Sequence, residues 1–190
     1  MKTPKRLKPK VVVREDSPHQ SLRASGVRTN LIVIHSTESH NRPGTGDLEA
    51  IANWFSNPAA QASAHVCVDA DGQSARFVPD RRKAWHCASY NSASLGVEQI
   101  GFAAQGWRAW RGNEAELLET ARWLADWSLK HDIPLRRAVV WSGSVVRSGV
   151  ITHKKLGTLG GNHSDPGSYP MRWVLRHARK IRRARKRQAA

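Results

Sequence analysis

The sequence predicts an α/β fold: a single domain with a mixed central β-sheet flanked by helices. Three observations carry this. The β-branched run Leu31-Ile32-Val33-Ile34 reads as a buried strand. Apolar residues recur at helical spacing between Asn113 and His131. Strand-like and helix-like stretches also alternate along the chain instead of segregating. With 190 residues, 39% of them apolar, the chain most simply forms one core.

Taken in order, residues 1–14 read as a flexible basic arm ending in a short valine-rich strand. A strand follows from Thr29 to Ile34, then a polar Gly/Pro loop from Glu38 to Gly46. Asp47 is placed to cap a helix reaching about Phe55, with Leu48, Ile51, Ala52 and Phe55 on one face. The segments Ala64–Val68 and Ala75–Val78 flank Asp71-Gly72, a hairpin signal. Ser94 to Ile100 forms a further strand, with Val97 and Gln99 on one face and Glu98 on the other. The helix over Asn113 to His131 turns Leu117, Ala121, Leu124 and Leu129 inward. Gly149 to His153 is a strand feeding a glycine-rich loop, and Tyr169-Pro170 opens a last helix.

Charge divides the chain. The net charge is +16, yet residues 1–14 hold six Lys/Arg and 172–187 hold nine, with no acid in either stretch. That leaves 16 bases against 15 acids between 15 and 171. The expected organisation is a basic arm (1–14), a near-neutral catalytic body (15–171) and a basic helical tail (172–190) whose charge suits a polyanion. No apolar run approaches the roughly 18 residues of a spanning helix. Val11-Val12-Val13 is too short for a signal-peptide core, so synthesis in a cytoplasm without export is expected. Cys67 and Cys87 lack CxxC spacing and read as free thiols. A solitary histidine such as His19, His40, His131 or His177 reads as solvated.

His35, His153 and Asp165 are a candidate ligand set. Two neutral imidazoles and one carboxylate leave a fourth tetrahedral position open, the composition of a catalytic zinc site. His153 and Asp165 lie twelve residues apart around Gly157, Gly160, Gly161 and Pro166, which let the loop fold back. Spacing alone leaves a bound metal and a set of ordinary hydrogen-bonded side chains equally open.

Four segments together resemble the zinc-dependent type 2 N-acetylmuramoyl-L-alanine amidases, the superfamily of phage endolysins, wall-recycling amidases and peptidoglycan recognition proteins. They are Ile34-His35-Ser36-Thr37; Ser63-Ala64-His65 with Asp71-Gly72; Lys83-Ala84-Trp85-His86 with Ser94-Leu95-Gly96-Val97-Glu98; and Thr152-His153 with Ser164-Asp165-Pro166-Gly167. The resemblance implies Zn²⁺ held by His35, His153 and Asp165 in a groove beside the sheet. It implies Glu98 as general base, where exposure or ion pairing is the alternative from the residues alone. His163 stands where many relatives carry a lysine that stabilises the oxyanion, so its help there would depend on pH. His65, Trp85 and His86 are expected to line the groove and bind substrate, with burial in the core the alternative for Trp85.

The expected function is a phage-type endolysin, a monomer acting at the bacterial cell wall on peptidoglycan. The tail would attach it to anionic wall polymers, lipopolysaccharide or a membrane surface. A cytosolic recycling amidase and a non-catalytic wall-binding module are the rivals; the second predicts a lost ligand or base, and none is missing. Nucleic acid is a poor fit, because no reader motif accompanies the basic ends.

Overall fold

The structure, a computed structural model, describes residues 6–189. Six short strands join in one mixed sheet, in the spatial order β1 (Val11–Arg14), β5 (Ser74–Arg76), β4 (Val66–Val68), β7 (Ser94–Gln99), β3 (Leu31–Ile34) and β10 (Gly149–Thr152). Only the β4–β5 hairpin pairs antiparallel within it. The Asp71-Gly72 turn behaves as expected: Gly72 has φ +68°, and a Cβ there would come within 2.7 Å of the Ala115 carbonyl oxygen.

Alternation along the strands divides two cores. Ile32, Ile34, Leu95, Val97, Val66 and Val68 face α2 (Gly106–Gly112), α3 (Glu114–Lys130) and α4 (Met171–Ala189). On the opposite face Cys67 and Ala75 pack on α1 (Gly46–Ser56), while Leu31, Val33 and Ile151 pack on Tyr90 and Leu156. Two small ribbons complete the domain, β2 (Gln20–Leu22) with β6 (Arg82–Ala84) and β8 (Val139–Trp141) with β9 (Ser144–Arg147). No helix among the described residues is long and apolar enough to cross a membrane.

Several expectations change. Residues 6–14 are not a loose arm: Val11–Arg14 is the sheet's edge strand, and Glu119, buried on α3, accepts from Arg6, Arg122 and the Lys10 amide. Lys2 and Lys5 of the proposed arm, and Ala190 of the tail, lie outside the described residues. Helix α4 likewise belongs to the core, burying Val174, Leu175, Ala178, Ile181 and Ala184. The apolar face that a membrane-attaching helix needs is therefore covered. Asp47 sits inside α1 after Thr45 and makes no cap; its carboxylate takes the Arg42 amide and guanidinium. Of the histidines expected in solvent, His40 is exposed, but His19 and His177 are buried on backbone carbonyls and His131 bonds Asp80. Both cysteines are free and buried.

Candidate active site

Register brings the ligand candidates together. Ile34 of β3 pairs with Thr152 of β10 and with Val97 of β7, all parallel. The next residue on each strand, His35, His153 and Glu98, therefore emerges at one end of the sheet. Parity puts His35 on the side of Leu31 and Val33, away from α3 and α4. The Lys154 amide donates to the Asp165 carbonyl (2.8 Å), which returns the glycine-rich loop to the same place.

His35, His153 and Asp165 are all buried there. His35 Nδ1 lies 3.0 Å from His153 Nδ1 and 3.3 Å from Asp165 Oδ2, and His153 Nδ1 lies 3.1 Å from Asp165 Oδ1. A tetrahedron with metal–ligand bonds of about 2.0–2.1 Å has edges of about 3.3 Å, so this spacing fits zinc. Burial pushes His35 down to about 4, which keeps it neutral near pH 7. Burial alone would raise the Asp165 carboxyl, but the adjoining imidazoles of His153 and His35 hold it far below the usual range. His153 Nε2 donates to the Gly160 carbonyl (2.7 Å), leaving Nδ1 as a lone pair facing the cluster. Lone pairs and a carboxylate converging at 3 Å repel one another unless a cation or proton lies between them.

Glu98 stands beside this cluster, with Oε1 4.0 Å from His35 Nδ1 and a buried Oε2 that has no hydrogen-bond partner. Burial, then the charges of Asp165 and Glu38, raise its pKa well above that of an ordinary glutamate. A carboxylate so placed is suited to accept a proton. The His163 ring stacks on His153 with centroids 4.2 Å apart; its side chain is 58% exposed and its Nδ1 lies 3.7 Å from Asp165. Trp85 and His86 line the same groove, of about 490 Å³, with Phe55, Ala62 and Glu38. Trp85 anchors its indole N–H on Ser21 Oγ.

His65 does not reach the groove. It is 0% exposed, its Nδ1 accepts from the Gly96 amide, and Arg23 and the Arg82 carbonyl occupy Nε2. Its role is to tie β4 to β7 behind His86. Sequence reasoning passed over Ser94 and Asn91. Ser94 Oγ contacts His86, and Asn91 Oδ1 accepts from the amides of His86 and Cys87. No motif marks Asn91, and Ser94 carries only the signal of a strand start.

One end of the sheet thus gathers two imidazoles, a carboxylate and an unpaired buried glutamate, a donor set that could hold a metal ion and that suits a hydrolase. A family model described as N-acetylmuramoyl-L-alanine amidase matches residues 25–168. The chain is 31% identical over 155 residues to N-acetylmuramoyl-L-alanine amidase A of Achromobacter lyticus, covering 75% of this chain and 78% of that one. The Staphylococcus aureus hydrolase AmiA, solved with its ligand, superposes with a TM-score of 0.69 at 18% identity, covering 98% of this chain and 87% of its own. An AmpD crystal structure superposes at 0.64 with 20% identity, covering 88% and 93%. The chain belongs to the type 2 N-acetylmuramoyl-L-alanine amidase family. It is an amidase of peptidoglycan, on the single-domain mixed-sheet fold that the sequence predicts.

Proposed function

We propose that this amidase is a zinc-dependent, endolysin-type enzyme that cleaves polymeric peptidoglycan between N-acetylmuramic acid and the L-alanine of the stem peptide. The observation that carries the metal is the convergence of three acceptor groups, at the edge lengths of a tetrahedron, beside an orphan carboxylate. His35, His153 and Asp165 would hold Zn²⁺, which when bound supplies Lewis acidity to the scissile carbonyl and the attacking water.

The chain's own groups do the rest. Glu98 takes the proton of the attacking water on its unpaired oxygen and returns it to the departing L-alanine nitrogen. His163, exposed above His153, donates a hydrogen bond to the oxygen on which charge develops, most strongly when protonated. Trp85, with Phe55 and Ala62, offers an apolar wall to sugar and peptide.

Polymeric wall is favoured over soluble fragments by the charge on α4. Arg172, Arg176, Arg183, Lys186 and Arg187 are exposed along one side of a helix whose other side is packed. That row suits an anionic wall polymer or headgroup surface through charge alone. It lies on the sheet face opposite the groove, so a polymer held there leaves the groove open.

The test incubates purified protein with intact peptidoglycan and with soluble muropeptide, with and without chelator, and identifies the new termini. L-alanine amino termini released from intact wall, abolished by chelator and restored by Zn²⁺, support the proposal. Activity confined to soluble fragments refutes the endolysin, and chelator-resistant cleavage refutes the metal.

A further inference from the structure

Counting protons along one hydrogen-bond chain identifies which nitrogen of His35 faces the cluster. Ser94 Oγ lies 2.8 Å from the Tyr90 carbonyl and must donate to it, because a carbonyl only accepts. With its one proton committed, Ser94 Oγ can only accept from its other two neighbours, His86 Nε2 at 3.1 Å and Cys87 Sγ at 3.2 Å. The Cys87 thiol can make that donation, since burial pushes its pKa up to about 12.

A neutral imidazole carries one N–H. If His86 Nε2 bears it, His86 Nδ1 is a lone pair, and that atom lies 2.9 Å from His35 Nε2. His35 Nε2 then donates, and His35 Nδ1 presents its own lone pair to His153 and Asp165. The two rings meet edge to face, with centroids 5.0 Å apart and planes at 78°. Asn91 Oδ1 holds the backbone amides of His86 and Cys87. Beneath the ring is Gly96, where a Cβ would come within 2.7 Å of His86 Nδ1. The sequence expectation that His86 binds substrate is thus incomplete: both its ring nitrogens are already engaged inside the protein.

We propose that His86, itself oriented by Ser94, is a positioning residue that locks ligand His35 in the tautomer and ring orientation needed to hold a metal ion. This rests on the reading of His35, His153 and Asp165 as ligands. Outer partners of this kind typically change metal affinity by about 10–100-fold.

The test is zinc affinity, measured by competition against a chromophoric chelator, on variants whose folding is checked by near-ultraviolet circular dichroism. His86→Ala is expected to weaken zinc binding by about 10–100-fold. His86→Asn places an amide oxygen near the position of Nδ1, keeps the acceptor for His35 Nε2–H, and is expected to recover most of the loss. Long-range ¹H–¹⁵N spectra of the metal-free protein should show His35 and His86 both protonated on Nε2. Wild-type affinity in His86→Ala overturns the proposal, as does an asparagine variant no better than alanine, or a His35 ring protonated on Nδ1. Should the alanine variant fail to fold, the asparagine variant and the spectra of the unmodified protein still decide. A wild-type protein that binds no zinc at all refutes the ligand reading itself, a result distinct from each of these.

Discussion

Replacing Glu98 with glutamine keeps the side chain's size and removes its ability to accept a proton. Because Glu98 is adjacent to the ligand cluster and not part of it, zinc affinity should stay close to that of the wild type. Turnover should not. A positioned acid–base group is worth about 10²–10⁴ in rate, or about 3–5 kcal/mol of barrier. The buried Oε2 has no partner and Asp165 and Glu38 are close, so the carboxylate also burdens the metal-free fold. Removing that charge should stabilise the metal-free protein by about 1 kcal/mol, a rise of about 2–4 °C in Tm at pH 8. The assay pairs kcat on intact peptidoglycan with zinc affinity and a thermal melt of each variant. A Glu98→Gln enzyme with normal zinc content and kcat within tenfold of the wild type would refute the base assignment.

Other consequences are equally direct. His163→Ala should lower kcat by about 10²–10³-fold with little change in KM, and His163→Lys should restore turnover; an alanine variant with kcat close to that of the wild type counts against the role. Ile181→Ala on α4 should cost about 2–5 kcal/mol, because that side chain is 0% exposed against the main core; a melt within a degree of wild type would show the helix to be a dispensable appendage. Burial alone would raise the Asp80 carboxyl, but Arg76 and His131 hold it at about 2. That depression contributes about 2–3 kcal/mol at neutral pH, present above the ordinary value near 4 and lost as pH falls through about 2. Asp80→Asn should therefore melt lower at pH 7 and converge on the wild type near pH 2; a constant gap across that range refutes the linkage. Arg176→Glu with Arg183→Glu should reduce retention on sedimented wall at low salt while sparing hydrolysis of soluble muropeptide. Equal retention would place wall attachment elsewhere.

How much of this was legible in the sequence depended on whether the signal was local. His35 and His153 could be found because each ends a β-branched strand, and the strand order then made them neighbours. Strand alternation set Glu98 on the face opposite Val97, and the family resemblance supplied its role. What failed needed knowledge of what lies across the gap. The family resemblance marked His65 as a groove residue, yet Arg23, more than forty positions away, folds over its ring. The nine cations of the last helix masked an apolar stripe of ordinary spacing, Val174, Ala178, Ile181 and Ala184, which α3 covers. His177 looked solvated for the same reason, although its Nδ1 donates to the Trp173 carbonyl one turn earlier. Asp47 had cap chemistry, but the Arg42 guanidinium donates twice to its Oδ1 and the Arg42 amide takes its Oδ2.

The order of strands has one more implication. His35 and His153 are separated by 118 positions and meet through the parallel β3–β10 pairing, which is slow to form because the intervening chain must close first. A ribosome-bound chain therefore lacks the centre until Asp165 has emerged and the sheet has closed on β10. If that centre does the cutting, every partly made or misregistered copy would be unarmed.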